Sequence, residues 1–121
     1  MNAMETVLCS HLLGIAESGG ITTYAGLAAL VGLDVDGPEN RRRLADILRA
    51  VNTHEVSQGR PMLSAVVVLK GRKLPGRGFF DLARELGRYH GGDREAFWRE
   101  ELQRVHDCWR DTPSNDTTGS G

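Results

Sequence analysis

The sequence predicts a mainly α-helical protein with a small β-wing, arranged as a winged helix-turn-helix with a C-terminal helical extension. Three features lead there. Apolar side chains recur at three- and four-residue spacing through most of the chain, the mark of helices with one buried face. One run, MLSAVVVL at 62–69, is rich in β-branched residues and apolar at both alternating positions, as in a strand covered on each side. Directly after it comes KGRKLPGRG, whose Pro75 lacks a ladder donor and whose glycines disfavour regular structure, so it reads as a basic flap.

In chain order, Met4, Leu8, Leu12 and Ile15 define a helix over 3–18, which Gly19-Gly20 ends. Ile21-Thr22 is a short extended piece, Thr23 an N-cap, Tyr24 to Val31 a two-turn helix, and Gly32 its stop. Pro38 suits a first helical turn, where a missing N–H costs nothing. Leu44, Ile47, Leu48 and Val51 are the buried stripe of a third helix over about 38–52, and Arg41, Arg42, Arg43 and Arg49 lie on its other face. NTHEVSQGRP reads as a connector, broken at Gly59 and Pro61. Beyond the flap, Phe79, Leu82, Ala83 and Leu86 mark a helix closed by Gly87. Asp93 caps a last helix striped by Trp98, Leu102, Val105 and Trp109. The expectation is one domain over 1–110 and a disordered polar tail over 111–121.

A chain of 121 residues can build one hydrophobic core. No stretch reaches the roughly 18 to 20 apolar residues that cross a bilayer, and the first residues lack a basic secretory start, so no membrane contact is expected. Only Cys9 and Cys108 occur, which suits a reducing, cytoplasmic setting. The net charge of −1 conceals a division. Residues 1–40 hold no Lys or Arg and five acids, whereas residues 41–88 hold eleven basic groups against four acids. A basic middle of this kind points to a polyanionic partner.

The stretches ITTYAGLAALVGL, RRLADILRAVN, the apolar run and GRGFF together resemble, over about residues 20–87, the DNA-binding domain of the alkylguanine DNA alkyltransferases and alkyltransferase-like proteins. The resemblance implies that Thr23-Tyr24 occupies a turn whose Tyr lies against a DNA phosphate. It also implies that Arg42, or Arg43 if the register shifts by one, matches the arginine that enters the base stack. Where that family carries Pro-Cys-His-Arg, this chain has LSAVV at 63–67, so the reactive thiolate and its activating His are absent. Ser64 falls nearest the Cys position, and a serine without an adjacent base is a poor nucleophile.

The expected function is therefore non-catalytic duplex DNA binding, regulatory (as in transcription regulation) or accessory, with no catalytic residues, cofactor or metal. Arg41, Arg42, Arg43 and Arg49 would serve the groove, Thr23 and Tyr24 a phosphate, and Lys70, Arg72, Lys73 and Arg77 the flanking backbone. RNA is an open alternative to DNA. The rival from another class is a winged-helix protein-interaction adaptor, in which Phe97, Trp98 and Trp109 form the interface to another protein or a second copy. Cys9-Ser-His11 and His106-Asp-Cys108 hold zinc-type ligands, but residues two apart on a helix point away from each other, which makes chelation awkward.

Overall fold

The computed structural model describes residues 3–34 and 37–117 and is mainly helical, with one small parallel sheet. In chain order it runs α1 (Ala3–Ser18), β1 (Thr22–Thr23), α2 (Tyr24–Leu30), α3 (Pro38–Ser57), a 3₁₀ turn (Leu63–Val66), β2 (Val67–Val68), α4 (Arg77–Glu85) and α5 (Arg94–Thr117). No helix among the described residues is long and apolar enough to cross a membrane.

Helix α1 has the predicted bounds. Its buried line is Leu8, Leu12 and Ala16, one turn apart each, while Met4 and Ile15 are half-buried at its edge. Thr23 caps α2, its hydroxyl accepting a hydrogen bond from Gly26 N–H at 3.0 Å. Pro38 stands at the start of α3 as expected. Asp93 caps α5, its carboxylate accepting from the N–H groups of Glu95 and Ala96. The backbone of α5 continues to Thr117, so the first part of the expected tail is helical, and residues 118–121 lie outside the described residues.

Two expectations are corrected. Helix α3 does not stop at residue 52 but continues to Ser57, one and a half turns into the supposed connector. The reason is that Asn52 and Glu55 extend its buried stripe: both are under 6% exposed, Asn52 is bonded to the buried Ser64, and Glu55 is paired with Arg60 of the turn that follows. Beyond Ser57 the chain reverses at Gly59, whose φ of +78° suits a residue without a β-carbon, and Arg60 N–H closes the turn onto Glu55 O at 2.9 Å.

The second correction concerns the strand expected over 62–69. Only Val67 and Val68 are extended, in parallel register with Thr22 and Thr23. A strand needs a neighbour for its N–H and C=O groups, and β1 offers just two residues. Upstream of them the chain coils into the 3₁₀ turn, and its polar backbone groups are met by side chains instead. Met62 N–H donates to Glu101 Oε2 at 2.8 Å, Ser64 N–H to Asn52 Oδ1 at 3.0 Å, and Ala65 O accepts from the Trp98 indole at 2.8 Å. Residues 62–68 are all buried, between α1, α3 and α5. Apolar faces on every side marked this burial correctly, but burial alone does not separate a strand from a tight turn.

Candidate nucleic-acid interface

An apolar cleft of about 400 Å³ opens beside α3. Leu44, Leu48, Leu69, Phe79 and Leu82 form much of its wall, and Asn52 and Ser64 contribute its buried polar groups. These two side chains are joined twice: Asn52 Nδ2 donates to Ser64 Oγ at 2.7 Å, and Asn52 Oδ1 takes the Ser64 N–H. An amide N–H pointing at the hydroxyl cannot remove its proton, so Asn52 orients Ser64 without activating it. In the sequence Asn52 looks like the first residue of the connector NTHEVSQGRP. The available signal was a polar residue continuing the stripe of Leu44, Leu48 and Val51.

Tyr24 and Arg41 also line this cleft. The Tyr24 hydroxyl accepts the N–H of Gly76, the residue just before α4, at 3.0 Å, and keeps its own proton for another acceptor. Burial pushes its phenol above the ordinary value, partly opposed by that Gly76 N–H. Thr23 is committed to capping α2, so its hydroxyl serves the fold. Arg41, Arg42 and Arg43 are all exposed on the first turns of α3. Arg77 is exposed in the first turn of α4, between Gly76 and Gly78, which both line the cleft.

Other predicted residues are placed differently. Arg49 lines the cleft but forms a two-pronged ion pair with Glu85 of α4, so its charge is already answered within the protein. The flap is not a β-hairpin wing. Leu69 N–H donates to Leu74 O at 2.7 Å, and Leu69 O accepts from the N–H groups of Arg72 and Lys73, which closes residues 69–74 into a single tight loop. Lys70, Arg72 and Lys73 are exposed on that loop. Arg72 and Lys73 border a separate groove on the α5 side, while Leu69 and Gly76 face the cleft, so the flap divides two depressions. The positive charges of 41–43 and 70–77 therefore do not all serve one concavity; only Arg77 of the flap stands by the third helix's cleft.

The aromatic residues proposed as a partner surface are drawn inward. Trp98 is 8% exposed and its indole N–H is spent on Ala65 O, so it is a core residue. Phe97 is half-buried against Phe79, Phe80 and Tyr89, with its ring 5.0 Å from that of Tyr89. Trp109 is half-buried beneath the Arg60 guanidinium at 5.6 Å. Adjacent residues on a helix diverge by about 100°, but the loop carrying Tyr89 folds over α5 and covers Phe97 as well. Neither Cys9 nor Cys108 is in a disulfide, and burial raises both thiols above the ordinary value; the Glu55 carboxylate adds to the rise at Cys9, while at Cys108 the Arg60 guanidinium opposes it and Glu55 adds a smaller push upward. Among the described residues no group of three or more His, Cys, Asp or Glu is arranged to hold a metal.

No family model, curated protein or solved structure matches this chain.

Proposed function

We propose that the protein is a winged-helix-like, non-catalytic duplex DNA-binding protein, with α3 entering a groove and the start of α4 meeting the flanking backbone. The observation that carries this reading is that the cleft Tyr24 borders is lined by Arg41 of α3 and by Gly76 and Gly78, the neighbours of the exposed Arg77, while Arg42 and Arg43 are exposed next to Arg41 on the same helix. Guanidinium groups suit both phosphate oxygens and the acceptor edge of guanine. Arg77 also occupies a helix N-terminus, where a cation is electrostatically disfavoured and an anion is favoured. A phosphate there would relieve the first and use the second. The order β1, α2, α3, β2, flap further supports the winged-helix description, with the closed loop of 69–74 in the place of a hairpin.

The test is Arg42→Glu with Arg43→Glu, measured by fluorescence anisotropy on duplex DNA. Neutralising about four phosphates gives a log-log salt slope of roughly −3 to −4. The parent should show a slope of this size and the double variant should not bind. A variant that binds as tightly as the parent rules the reading out. Single-stranded DNA and RNA titrated alongside decide whether the duplex is the preferred form.

A further inference from the structure

The second depression lies on the far side of the flap, between residues 72–74 and α5. It is an open groove of about 620 Å³. Three features distinguish it from ordinary surface. Its cations are in excess, with Arg72, Lys73 and Arg99 facing Glu95 as its one carboxylate, and that carboxylate is paired with Arg99. Arg72 and Lys73 have no ion pair among the described residues. Between them and the helix lie apolar side chains, Leu74, Leu102 and the remaining exposed edge of Trp98.

Lys73 adds a fourth feature. Its φ of +58° is the only positive value at a non-glycine position among the described residues. Glycine would adopt this conformation without strain, whereas a lysine there is strained. The loop is locked by the hydrogen bonds onto Leu69 O, and the result is a cation held at the groove. Local strain of this kind is informative where the side chain it presents has a use.

We propose that this groove binds a nucleotide through its phosphate, with Arg72 and Lys73 holding the phosphate and Leu74, Leu102 and the Trp98 edge carrying the base or sugar. Cationic rim and apolar floor complement the two halves of a nucleotide, which an inorganic anion or a plain hydrocarbon would not use together. The nucleotide is either free or part of a single strand, since both present the same chemistry. The site is separate from the α3 cleft and does not depend on duplex binding there.

The test records amide ¹H–¹⁵N spectra of the full chain during titration with thymidine 5′-monophosphate, inorganic phosphate, and a hexathymidylate without terminal phosphates. Saturable shifts with the monophosphate are expected at 72–74 and 99–106 and not at 41–49. Arg72→Ser with Lys73→Gly should weaken them by roughly 10- to 100-fold, the range for losing charged hydrogen bonds. The glycine removes the charge while relaxing the backbone, so this variant keeps its fold, which its own spectrum verifies. Arg42→Glu with Arg43→Glu should leave the shifts unchanged, which separates this site from the duplex interface. Hexathymidylate that competes with the monophosphate identifies a strand contact, and failure to compete identifies a free nucleotide. The proposal is overturned if the monophosphate produces no shifts in the groove, if inorganic phosphate reproduces them fully, or if they survive the Arg72/Lys73 variant.

Discussion

Residues 62–68 and 69–77 are consecutive, yet they are held by opposite means. The first segment is buried throughout, and the polar groups of its upstream half are answered by Asn52, Trp98 and Glu101, which come from other helices. The second carries its cations in solvent and closes largely on itself, through Leu69 and Leu74, with one anchor at Tyr24. One segment thus reports on the whole fold and the other on its surface. Substitutions should therefore affect stability in the first and ligand binding in the second.

Glu101 is the most severe place to break that division. Fully buried, it accepts the Met62 N–H, a two-pronged bond from Arg88, and a longer contact from Arg104 at 3.3 Å. Glu101→Ala strands a half-buried guanidinium and an unanswered amide, and should cost about 3–5 kcal/mol in urea denaturation, the range for removing one partner of a buried ion pair. Against a typical total of about 5–15 kcal/mol, that leaves a marginal protein. Asn52→Ala should cost about 1–3 kcal/mol by leaving the Ser64 N–H unsatisfied. Equal stability in the alanine variant would mean that Asn52 does not hold the turn.

Tyr24→Phe tests the link between flap and body. Losing the acceptor for Gly76 N–H should cost about 1 kcal/mol and speed amide exchange at Gly76. The same residue predicts an alkaline limb of stability. Its folded pKa lies above the unfolded one, so its contribution is complete below the ordinary value of 10.0 and is lost as pH rises through the higher folded value. The two raised thiols act in the same direction from their ordinary value of 9.0. Urea midpoints should therefore fall as pH climbs past that range, less steeply in Tyr24→Phe and in Cys9→Ser with Cys108→Ser. A midpoint independent of pH up to 11 would contradict the burial of these groups.

The flap is the one place where no stability should be lost. Arg72→Ser with Lys73→Gly should not lower the urea midpoint, because exposed charges contribute little and glycine at φ +58° relieves a strain of about 1 kcal/mol. A large loss would show that the loop supports the core.

Much of this architecture was legible in the chain. Helix α1 ends where Gly19-Gly20 says it should, and Thr23, Pro38 and Asp93 open their helices because capping is a property of a few neighbouring residues. The basic residues at 41–43 and 70–77 are exposed, as their charge requires. Less legible was anything that depends on a distant partner. The extra turns of α3 rest on Asn52 meeting Ser64 in the core, with Glu55 then pairing to Arg60 in the turn just beyond, and polar residues at those positions look like a connector until their burial is known. Of the candidate site, Arg41 and Tyr24 were found from their types, whereas the loss of Arg49 to Glu85 and the inward turn of Trp98 were not.

By itself the sequence determined where the helices lie, where most of them start, and which side chains must remain in water. Those outcomes follow from local backbone preference and from the cost of burying charge. Tertiary structure alone decided that an apolar run becomes a 3₁₀ turn with two extended residues, and that a flap's cations are divided between two depressions. Both depend on which groups fold brings within hydrogen-bond reach, and that information is spread over the chain from Thr22 to Glu101.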